Sequence, residues 1–78
     1  MLTDADVRNA LKETINSAKP DSWSADFDFR KGGELDSLDH VTFLLRLAED
    51  HGLVVPDPDV DKLTTITAVL AYAAARRA

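Results

Sequence analysis

Glu34-Leu35-Asp36-Ser37-Leu38-Asp39-His40-Val41 opens the most hydrophobic helix that this sequence encodes. Asp36 is a good N-cap residue, and Asp39 three positions later favours the positive end of the helix dipole. Ser37 then stands at the first turn, exposed beside free backbone N–H groups. On these residues alone, Ser37 is an incidental serine at the start of a well-capped helix. The rest of the helix, predicted from Ser37 to about His51 and closed by Gly52, changes that reading.

On a helical wheel with Leu38 at zero, Phe43, Leu47 and Leu44 fall at about 140°, 180° and 240°. Val41 and Leu45 fall at about 300° and 340°, next to Leu38. Glu49, Thr42, Arg46, Asp39 and Asp50 fill only the arc from about 20° to 120°. The apolar arc is wider than one core-facing stripe requires. Phe43, Leu44 and Leu47 suit a core. Leu38, Val41 and Leu45 then form an apolar strip leading away from Ser37, as binding sites often do, unless neighbouring helices cover both halves.

Seventy-eight residues make one domain, 1–78, with a modest core. The absence of cysteine excludes disulfides, thiolate metal sites and thiol nucleophiles. The polar N-terminus has no apolar h-region and no apolar run reaches 18 residues, which predicts a cytoplasmic chain with no membrane span. From Glu34 to Asp61, eight acids face one base, Arg46, for a local charge of −7. The other residues hold six acids and eight bases, for +2. Acidity around the Ser37 helix argues against nucleic acid and suits basic protein partners, although solvation of an ordinary surface also accounts for it.

The chain begins with Thr3 as a predicted N-cap and Val7, Leu11 and Ile15 at helical spacing, so residues 4 to about 17 read as an amphipathic helix ended by Pro20. Residues 19–36 read as a long loop anchored by Trp23, Phe27 and Phe29. After the apolar run Leu53-Val54-Val55, Pro58 is placed at N1 of a short turn over 58–62, with Asp57 as its cap. Thr64 or Thr65 caps a last helix to about Arg77, with Ile66, Val69, Leu70 and Ala73 facing inward and Arg76 and Arg77 complementing its dipole. The fold class is all-α: three main helices plus one short one.

Enzyme chemistry is hard to build from these residues. His40 and His51 are about 16 Å apart along one helix and cannot share a metal. A Ser37–His40 pair is formally available, but the sequence shows nothing to orient the imidazole. Asp57, Asp59 and Asp61 lack the glycine and terminal glutamate of a calcium loop and are read as solvated. No catalytic residue and no metal ligand is assigned.

Asp36-Ser37-Leu38-Asp39 with its apolar helix, then Val55-Pro56-Asp57 and Lys62-Leu63-Thr64-Thr65-Ile66, resembles the acyl carrier proteins. The likeness covers residues 34 to 78 in motif and spacing, and residues 1–33 mainly in helix placement and the Phe27–Phe29 anchor. It implies a small acyl-carrier-like helical bundle, monomeric, that is a substrate of other enzymes. By the same resemblance, a phosphopantetheinyl transferase attaches 4′-phosphopantetheine from coenzyme A to Ser37, flanked by Asp36, Leu38 and Asp39. The arm's thiol then holds an acyl or aminoacyl group as a thioester for a loading enzyme and for acyl-processing or transfer enzymes. Leu38, Val41, Leu45, Glu49 and Asp50 are the implied docking surface. Gly32-Gly33-Glu34-Leu35 replaces the Leu-Gly pair usual before the motif in fatty-acid carriers, and Arg46 dilutes the acidity. Both point to a specialised lipid or secondary-metabolite pathway. Arg46 is expected amid acids and away from the core, either read by partners or paired with Asp50 at i+4. The competing reading is an unmodified helical interaction module.

Overall fold

The computed structural model describes residues 2–15 and 19–77. Its helices are α1 (Asp4–Thr14), α2 (Ser37–His51), α3 (Asp57–Val60) and α4 (Ile66–Arg77), with a 3₁₀ turn at Pro20–Ser22 and no strand among the described residues. The expected plan of three main helices and one short one holds.

The chemistry of each helix start is local. Thr3 accepts the Asp6 amide at 3.1 Å while the Asp6 carboxylate accepts the Thr3 amide at 3.0 Å, a full capping box. Those contacts hold the Asp6 carboxyl below its ordinary value, the Thr3 amide contributing most. At α4 the choice between Thr64 and Thr65 falls to Thr65, whose hydroxyl accepts the Ala68 amide at 2.9 Å.

Two boundaries differ from expectation. α1 ends at Thr14 rather than near 17: the Thr14 hydroxyl donates back to the Ala10 carbonyl and Ile15 is already extended. Residues 16–18 lie outside the described residues, as does the side chain of Arg77. At α3 the N-cap place belongs to Pro56, not Asp57, and no side chain caps the turn. Asp57 and Pro58 are its first two residues, where a proline's missing N–H costs nothing.

The core joins Val7 and Leu11 of α1, Phe43, Leu44 and Leu47 of α2, and Ile66 and Val69 of α4, all buried. α1 packs on both other long helices. The long loop is part of this core. Phe29 is fully buried, stacked at 6.3 Å on Trp23 and edge-on at 5.8 Å to Phe43. Arg8 donates to the carbonyls of Pro20 and Trp23, and the Phe29 amide donates to the Thr64 carbonyl at 3.0 Å. At Gly32 a Cβ would come within 2.5 Å of the Phe27 ring, so the loop closes tightly only over glycine. Among the described residues, no helix is long and apolar enough to cross a membrane.

Candidate functional site

The site is set by how α2 begins. Asp36 is extended, its carbonyl accepts the His40 amide at 3.0 Å, and its carboxylate accepts the Asp39 amide at 2.8 Å. Ser37 is therefore the first helical residue, and it is exposed. Asp36 and Leu38 are exposed beside it, and Asp39 is half-buried. The four residues lie together as the sequence places them.

Arg30, which the sequence gives no reason to place here, joins the serine, and His40 connects to it only through Arg30. Arg30, on the turn that follows Phe29, donates from Nη2 to the Ser37 hydroxyl at 3.3 Å and from Nη1 to His40 Nδ1 at 2.9 Å. His40 is completely buried, edge-on to Phe29 at 5.8 Å. Its Nε2 lies 2.8 Å from the Leu63 carbonyl, which can only accept, so Nε2 carries the proton and Nδ1 offers its lone pair to Arg30. Burial pushes the imidazole below its ordinary value, the Leu63 carbonyl opposes this, and the Arg30 charge adds to it.

That arrangement corrects the formal Ser37–His40 pair. The imidazole is well oriented, but by Leu63 and Arg30. Both ring nitrogens are engaged, and neither is free to take a proton from Ser37. Among the described residues no group of His, Cys, Asp and Glu could hold a metal.

Away from Ser37 runs the apolar strip. Leu38 is 74 % exposed, Val41 45 % and Leu45 56 %, whereas Phe43, Leu44 and Leu47 are buried. Neighbouring helices do not cover both halves. Glu49 and Asp50 are exposed beyond the strip. Val54, 64 % exposed, extends the apolar surface, and a groove of about 140 Å³ runs between α2 and α3, lined by Val41, Leu44, Leu45, Val54, Val55 and Val60, among others. The sequence reading passed over Val54. The sequence carries no signal for it, because Leu53, Val54 and Val55 are all apolar and only the extended backbone turns Val54 outward.

Arg46 stays partly exposed and beside an acid, as the wheel expects, but the acid is not Asp50. Its Nη1 donates to Glu13 of α1 at 3.1 Å, not to Asp50, and its Nε is buried without a partner. It belongs to the seam between α1 and α2. Nor is Asp59 merely solvated. It accepts the Tyr72 hydroxyl at 2.7 Å and pairs with Lys62 at 3.4 Å, tying α3 to α4. The tyrosine bond holds the Asp59 carboxyl low and the Tyr72 phenol high.

Known proteins resemble this chain over most of its length. A family model described as "Phosphopantetheine attachment site" matches residues 5–73. The chain is 26 % identical over 74 residues to the acyl carrier protein of Lactobacillus acidophilus, covering 91 % of this chain and 92 % of that one. To the acyl carrier protein of Lactobacillus johnsonii it is 27 % identical over 74 residues, with the same coverage. With the acyl carrier protein of Rubrobacter xylanophilus it is 39 % identical over 44 residues, 56 % of this chain and 54 % of the relative.

Proposed function

The chain belongs to the acyl carrier protein family, whose members carry phosphopantetheine, and from that premise we propose that Ser37 is the residue to which the group is attached. The observation that carries the reading is the exposed hydroxyl at the head of α2, with an apolar strip leading away and a cation beside it. The surroundings fit the group: the hydroxyl is open to a transferase, Arg30 stands by its oxygen, and the groove begins one turn along the helix. When bound, the group supplies a terminal thiol that holds an acyl or aminoacyl chain as a thioester, chemistry this cysteine-free chain has no side chain to perform.

The chain's own residues present and steer. Asp36 and Asp39 flank the hydroxyl, where a transferase's metal or basic residues can engage them. Leu38, Val41 and Leu45 form the apolar centre of a docking face, with Glu49 and Asp50 as its acidic rim. A monomeric cytoplasmic carrier, served by a transferase, a loading enzyme and acyl-processing enzymes, follows from this reading.

A specialised lipid or secondary-metabolite pathway is supported by the Gly32-Gly33-Glu34-Leu35 segment. Arg46, bound to Glu13, no longer supports it. Kinetics with a fatty-acid elongation synthase test that part. Poor service is expected, and service equal to that of a fatty-acid carrier overturns it.

Attachment itself is tested by intact mass after incubation with coenzyme A and a broad-specificity transferase. Wild-type protein should gain one phosphopantetheine. Ser37→Ala should gain none while its helical circular dichroism is unchanged. No gain in the wild type leaves the unmodified interaction module as the reading, and gain in the variant moves the site elsewhere.

A further inference from the structure

Arg30 is held with unusual care for a loop arginine. The Asp28 carboxylate accepts the Arg30 amide at 3.0 Å and the Lys31 amide at 2.8 Å, and the Thr64 hydroxyl donates to its other oxygen at 3.0 Å. Buried Phe29 fixes the turn from the preceding side. The guanidinium is then aimed by the lone pair of a histidine sealed inside the core. A buried polar group needs partners, and His40 meets half that need by orienting an arginine rather than by binding backbone twice.

Both side-chain acceptors of this guanidinium are neutral, an imidazole nitrogen and a hydroxyl oxygen. Among the described residues no carboxylate stands within ion-pair distance of it, although the chain holds fourteen acids. Its charge is therefore uncompensated by direct contact, and its forked donors match a phosphate's oxygens. We infer that the Arg30 guanidinium, aimed by the buried His40, is the cation that binds the phosphodiester carried at Ser37. The inference rests on attachment at Ser37 and adds to it a residue that holds the anchored end of the arm. Arg30 is the side-chain cation that the structure sets at the Ser37 oxygen, where Asp36 and Asp39, its neighbours in sequence, would oppose a new anion.

A merely structural arginine would stabilise the apo and holo forms alike, so the test compares the two forms of each variant. Apo and holo wild type, Arg30→Gln and Arg30→Lys are melted at low salt and at about 1 M salt, where the Debye length is about 3 Å. The apo-to-holo change in Tm should be more favourable in the wild type than in Arg30→Gln by about 4 °C at low salt, and this difference should shrink at high salt. Arg30→Lys, which keeps the charge without the fork, should retain part of it. The ³¹P resonance of the attached group should move in Arg30→Gln. An equal Tm change in wild type and Arg30→Gln, or a difference indifferent to salt, overturns the inference, as does a lysine variant no better than glutamine. Absence of the mass gain in wild-type protein sinks attachment itself; a normal gain with an unchanged Tm difference sinks this inference alone.

Discussion

Phe43, Leu44 and Leu47 on one side of α2 and Leu38, Val41 and Leu45 on the other are similar side chains on one helix, yet the first three are buried and the last three exposed. Burying a leucine or valine is worth about 1.5–3 kcal/mol. The open side forgoes that stabilisation at three positions, and Val54 adds a fourth across the groove. Folding alone gives no reason for such a surface, and the docking proposed above would supply one. Ser37 stands at the N-terminal end of the helix that carries both sides.

The sharpest way to break this division is to truncate each side in turn. Phe43→Ala should cost about 3–5 kcal/mol and Leu47→Ala about 2–5 kcal/mol, read from urea melts. Leu45→Ala and Val41→Ala should cost about 1 kcal/mol or less while weakening binding to a transferase or acyl-processing enzyme. A reversed ranking would mean that the two sides have been exchanged.

The closed side contains one titratable residue, and it gives a second test. Burial holds folded His40 below the ordinary value of 6.5, so between those two values the unfolded chain binds the additional proton. Its contribution is fully present above about pH 6.5 and is lost as the pH falls through the folded value. Asp28 from the loop and Asp61 after α3 oppose the depression, and Arg30 reinforces it. The urea midpoint should drop between pH 7.5 and 5.5, and His40→Gln should flatten that dependence. An equal slope in both proteins would contradict the burial of a neutral His40 in the folded chain.

The smallest effect lies at the border of the two sides. Arg46 and Glu13 are both substantially exposed, so their coupling in a double-mutant cycle should be about 0.2–1 kcal/mol and fall with salt. Coupling of Arg46 to Asp50 instead would restore the i+4 pair that the sequence offers.

These residues also mark how far a sequence can be read. The start and end of α2, its Asp36 cap and the division into two apolar halves depend on spacings of three and four residues, and each stands in the structure as expected. The corrections come from distant partners. Arg46 meets Glu13 thirty-three positions away, His40 meets Leu63 twenty-three away, and Asp59 meets Tyr72 thirteen away. No periodicity encodes such pairs, because they depend on how helices and loop pack together. Arg30 was hidden for the same reason. It lies ten residues from His40 in a stretch without regular structure, and only the folded turn brings it to Ser37.

Modification of the chain at Ser37 is the central proposal, and the sequence allows a direct reading of it. Trypsin cleavage after Lys31 and Arg46 releases residues 32–46, in which Ser37 is the only serine. After treatment of wild-type protein with coenzyme A and a transferase, tandem mass spectrometry of the digest should find the phosphopantetheine on that peptide, at Ser37. The same group on any other peptide, or on Thr42 within this one, would contradict it.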